Sequence, residues 1–114
     1  MSNICWLIDI HALDFIDSTL KEVLKTREEI MGSGVITGLY RIGDPGVHGA
    51  LPLRAIDERC NSKIVGDTIA TYINARWIYD PDRPQMDVCL CHDAGEGLHL
   101  HYQVYPRTVR RPIG

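Results

Sequence analysis

The chain lacks the features that would send it to a membrane, an export route or a nucleic acid. No apolar run approaches the ~18 residues that a membrane span requires. The opening residues, Met1 to Asp9, carry no basic cluster and meet an acid at Asp9, so they do not read as a signal peptide. Basic residues are outnumbered, 12 Lys and Arg against 15 Asp and Glu, and the net charge is −3. A broad electrostatic footprint for nucleic acid is therefore not expected. The basic cluster near the end, Arg107, Arg110 and Arg111, reads as a solvated terminus. There is no internal repeat and no low-complexity stretch. No Cys-x-x-Cys pair occurs, which argues against a zinc ribbon. The cysteines, Cys5, Cys60, Cys89 and Cys91, are expected to be reduced and mostly buried.

What is present is enough for a core. The chain has 114 residues, of which 45% are hydrophobic, so disorder is excluded and residues 1–114 read as a single domain. Ile16, Leu20, Val23, Leu24 and Ile30 share the spacing of one helical face, which predicts a helix inside 14–31. Asp14, Asp17 or a Thr19–Glu22 box could open it, and Gly32-Ser33-Gly34 would stop it. Strands are expected at 35–40 and 54–58, with a turn at 43–46. A second helix is expected at about 63–79, with Val65, Ile69, Tyr72, Ile73 and Trp77 as its apolar stripe. Pro81 and Pro84 would then open a loop. Residues 86–92 and 98–105 alternate as strands around a hairpin loop at 93–97. The order helix, strand, strand, helix, strand, strand suggests an α+β domain with an antiparallel sheet.

Five residues stand out for chemistry. His99 and His101 are two apart on an expected strand, so both imidazoles should point to one side, with Leu100 and Tyr102 in the core. Such a pair can share a metal, or divide metal binding and proton handling between its members. His48 and Asp57 come from a turn and a neighbouring strand. With one strand histidine they would supply two nitrogens and one oxygen, leaving a fourth zinc position open for water. Glu96, just before the histidine strand, could move a proton between water and a leaving amine. Each also has an ordinary reading: a loop residue for His48, an ion pair with Arg54 or Arg59 for Asp57, a solubilising hairpin tip for Glu96.

The order of these motifs resembles the zinc D-Ala-D-Ala carboxypeptidases and L-alanyl-D-glutamate endopeptidases. Thr37-Gly38-Leu39-Tyr40-Arg41 is similar to that family's S-G-Y-R-S strand end. His48 with Ala55-Ile56-Asp57 resembles its S-x-H-x-x-G-x-A-x-D segment, with Gly46 and Leu53 replacing the serine and glycine. His48 and Asp57 stand nine positions apart where the family has seven. His99-Leu100-His101-Tyr102-Gln103-Val104 resembles the H-x-H strand that completes the site. The likeness spans about residues 35–105 and is closer to small phage or prophage members than to the secreted enzymes. It implies the small α+β fold shared with the hedgehog signalling domain, and a Zn2+ cofactor held by His48, Asp57 and one strand histidine. One branch of the family has an acid, two residues and then the ligand histidine, a pattern that would choose Glu96 and His99. Another would choose His101 as ligand and His99 as proton handler, and this is the pattern we favour. The implied substrate is a peptide of bacterial cell wall, whose carboxylate Arg41 could grip; the ordinary reading of Arg41 is an ion pair with Asp44 or Glu58. Without an export signal, a phage particle, lysis or a partner would have to bring such an enzyme to the wall. The alternatives are a metal-binding phage-associated or structural module of the same fold without hydrolytic activity, and a metal-free domain that binds another chain.

Overall fold

A computed structural model describes residues 4–5, 17–31, 35–38, 54–93 and 97–112. Its elements are β1 (Ile4–Cys5), α1 (Ser18–Met31), β2 (Val35–Gly38), β3 (Ala55–Arg59), α2 (Lys63–Asn74), β4 (Trp77–Ile78), β5 (Cys89–Asp93), β6 (Leu98–Gln103) and β7 (Val109–Arg110). Five strands form one antiparallel sheet in the order β1-β2-β3-β6-β5, and β4 and β7 pair as a separate small ribbon. The chain is therefore α+β, with a small antiparallel sheet and two helices.

Helix α1 starts where a short acid can cap it. Asp17 Oδ1 accepts from the backbone N–H groups of Thr19 at 2.8 Å and Leu20 at 3.2 Å, satisfying two of the first orphan donors. Of the openings weighed from the sequence, Asp17 is the one used. Leu20, Val23 and Leu24 of the expected stripe are fully buried, and Ile30 packs against the same core. The expected glycine stop and the turn at 43–46 lie outside the described residues.

Helix α2 is capped by Ser62, whose hydroxyl accepts from Val65 N at 3.3 Å. It buries Gly66, Ile69 and Ile73, and packs on β5 and β6 beside α1. Two expectations fail here. Val65 is 37% exposed rather than buried, and the helix ends at Asn74 rather than near 79. The Asn74 side chain explains the stop. Its Oδ1 accepts from Val88 N and Cys89 N at 3.1 and 3.0 Å, while its Nδ2 donates to Cys89 O at 2.8 Å. The chain then turns, and Trp77 enters strand β4. Trp77 is still buried, with its indole N–H donating to Thr26 Oγ1 at 3.1 Å. Apolar spacing alone cannot tell a buried helical residue from a buried strand residue placed just after the helix.

Strand ends shift only slightly from expectation: β3 runs 55–59, β5 runs 89–93 and β6 ends at Gln103, while residues 39–40 of the expected second strand lie outside the described residues. The alternation in β6 holds, because Leu100, Tyr102 and the following Val104 are all about 1% exposed or less. Cys60, Cys89 and Cys91 are free thiols, the first two buried. A buried ionic cluster ties α1 to this core. Arg27 Nε donates to Glu58 Oε1 at 3.1 Å, Arg27 Nη2 donates to Oε2 at 2.6 Å, and the Tyr102 hydroxyl donates to Oε1 at 2.6 Å.

Candidate functional site

Side-chain parity divides the central strands into two faces. In β3–β6–β5 the register sets Glu58 opposite Leu100 and Leu100 opposite Cys91, while Ile56 lies opposite Tyr102 and Tyr102 opposite Cys89. These rows meet the helices. The alternate rows set Asp57 opposite His101 and His101 opposite Leu90, and Arg59 opposite His99 and His99 opposite His92. Directly paired residues project to the same side, so Asp57, His101, His99 and His92 share the second face.

Register alone brings Asp57 and His101 together from 44 residues apart in sequence. His101 Nδ1 lies 2.7 Å from Asp57 Oδ1, and both side chains are mostly shielded from water. The other ring nitrogen, Nε2, lies 3.2 Å from Gln103 Oε1. Gln103 cannot simply flip its amide, because its Nε2 donates to Asp87 O at 2.8 Å. Both His101 nitrogens therefore face acceptors, and a metal ion on either nitrogen would displace one of these contacts. His99 is held differently. Its Nδ1 lies 3.1 Å from Gly97 O, a pure acceptor, so Nδ1 is the donor in this contact and Nε2 lies outside it.

His92 was not singled out from the sequence. Its ring centre is 4.5 Å from that of His99 and 6.2 Å from that of His101. Partial burial, followed by the neighbouring His99 and His101 rings, holds the His92 imidazole below its usual titration range and so favours its neutral form. The loop at 93–97 already contained the signal: a hairpin closing there brings residue 92 across from the start of the histidine strand.

On this face Asp57 pairs with His101. Glu58, offered as a partner for Arg41, is engaged by Arg27 and Tyr102. His48, Arg41 and Glu96 lie outside the described residues. Among the described residues, no group of three or more His, Cys, Asp or Glu side chains is arranged to hold a metal ion. Of the expected trio, Asp57 and His101 lie side by side, in hydrogen-bond contact with each other. The donor types, one carboxylate oxygen and one imidazole nitrogen, suit zinc. Among the described residues, no helix is long and apolar enough to cross a membrane. Comparison with family models, with curated proteins and with solved structures finds no match.

Proposed function

We propose that the chain is a zinc-dependent peptidase of the hedgehog/DD-peptidase-like fold, acting on peptides of bacterial cell wall. The observation that carries this reading is the convergence of Asp57 and His101, which stand opposite each other on β3 and β6 with carboxylate and imidazole 2.7 Å apart. His48, Asp57 and His101 would hold the ion. When bound, zinc would polarise the scissile carbonyl and lower the pKa of water toward neutrality.

The chain's own residues carry the remaining work. His99, whose Nδ1 faces the Gly97 carbonyl, would turn Nε2 to the attacking water and take its proton. Glu96 would return a proton to the leaving amine. Arg41 would grip the substrate carboxylate with a two-pronged hydrogen bond. Gln103 braces His101 from the side opposite Asp57, in the manner of an outer partner that fixes ring orientation.

A metal-binding module of the same fold without hydrolytic activity is the competing reading. Engagement of both His101 nitrogens within the chain favours the third reading, a domain without metal. Elemental analysis and turnover of a synthetic muropeptide separate the readings. The peptidase reading expects zinc with turnover in the native chain. It expects zinc loss in His101→Ala, and zinc retained with turnover abolished in His99→Ala. Zinc without turnover would favour the silent module, and no zinc would end both.

A further inference from the structure

The strand pairing that joins Asp57 to His101 places a second imidazole pair at the neighbouring row. His92 and His99 are cross-strand partners at the end of the β5–β6 hairpin, two residues along from His101. Their rings are tilted by 58° with centres 4.5 Å apart. Two imidazoles sharing an ion at ~2.0–2.1 Å, in positions 90–110° apart around it, hold their centres roughly 4.5–5.2 Å apart. The observed separation falls at the lower end of that range. His101, at 6.2 Å from His92, falls outside it.

The ring nitrogens are also accessible. His99 Nδ1 is engaged with Gly97 O, which leaves Nε2 as the nitrogen open to an ion. Among the described residues the His92 ring makes no hydrogen bond. Water would complete the coordination, because His92 is exposed and His99 half-exposed.

We propose that His92 and His99 form a second binding site for a divalent transition-metal ion, separate from the Asp57–His101 site and weaker than it. Two nitrogen ligands without a carboxylate give lower affinity than the trio proposed for the first site. If the peptidase reading holds, on which this consequence rests, an ion at this second site occupies the Nε2 of His99. Excess zinc would then inhibit turnover by removing the proton handler.

The test is a zinc titration of the full, metal-stripped chain by isothermal calorimetry. Far-ultraviolet circular dichroism confirms that each variant is folded. The native chain should bind a tight equivalent and a weaker one. His101→Ala should lose the tight event and keep the weaker one, and Asp57→Asn serves the same purpose if His101→Ala does not fold. His92→Ala should keep the tight event and weaken the second at least tenfold. This design keeps the two claims apart: absence of the tight event alone ends the zinc-peptidase reading, and absence of the weak event alone ends this one. A weak event that survives both His92→Ala and His99→Ala is an adventitious ion only, and overturns the proposal. Loss of all binding in His101→Ala and in Asp57→Asn overturns it too, because the hairpin pair would then not stand alone.

Discussion

The two faces of the central sheet put the same kinds of residue to opposite uses. On the helix-facing side, Glu58 is clamped by both arms of the Arg27 guanidinium and by the Tyr102 hydroxyl. Only about 5% of either ionic side chain is exposed. Burial pushes the Tyr102 hydroxyl well above its usual range, so it remains a proton donor to that carboxylate. One residue earlier, on the other side, Asp57 meets an imidazole that also touches Gln103, with two more imidazoles in the next row. The first acid has every contact filled by groups that do not give up protons near neutrality. The second faces groups whose protons a metal can replace. Strand parity, rather than distance in sequence, separates a structural acid from a candidate ligand.

Breaking the helix-facing cluster should have the largest effect. Glu58→Ala leaves the Arg27 charge buried without its carboxylate and should cost about 3–5 kcal/mol in chemical denaturation. A loss below about 1 kcal/mol would mean that this cluster does not anchor α1. Leu100→Ala, which removes a core side chain between the two histidines, should cost about 2–5 kcal/mol. Any tight zinc should still bind the folded fraction, since the leucine points away from the candidate ligands.

Gly66→Ala sharpens the comparison from within the core. A Cβ at Gly66 would fall too close to Cys91 Sγ to be accommodated, and 2.8 Å from Cys60 Sγ. Overpacking of this kind should cost about 1–3 kcal/mol, visible as a lowered midpoint in urea. Gly66→Ala combined with Cys91→Ala should recover part of that loss, because the nearer sulfur is gone. The smallest stability change is expected on the other face. Asp57→Asn keeps the shape and one hydrogen bond to His101, so it should shift stability by only about 1 kcal/mol. Its zinc affinity should nevertheless fall sharply. Large destabilisation by Asp57→Asn would move this residue into the same structural class as Glu58.

Much of this division could be read from the sequence. Alternation of Leu100 and Tyr102 against His99 and His101 set the two faces of β6, and the structure keeps that parity. The proximity of Asp57 to a strand histidine was also expected, though the spacing did not fix the register that selects His101 over His99 as its direct partner. Three things were hidden. The end of α2 depends on Asn74 bonding to a segment fourteen residues onward, a tertiary contact with no periodic trace. The role of Glu58 depends on Arg27, a charged residue on a helix face that apolar spacing did not mark. His92 needed the hairpin register to place it opposite His99, and its pattern within β5 was dominated by the alternating cysteines and leucine.

The most direct test is the zinc content of the chain after weakly held metal is removed by gel filtration, measured side by side for the native sequence, Leu100→Ala and His101→Ala. The account predicts about one zinc per chain in the first two and almost none in His101→Ala, with the lowered unfolding midpoint confined to Leu100→Ala. A native chain free of zinc after loading, or zinc retained in full by His101→Ala, would contradict the assignment of this face to metal.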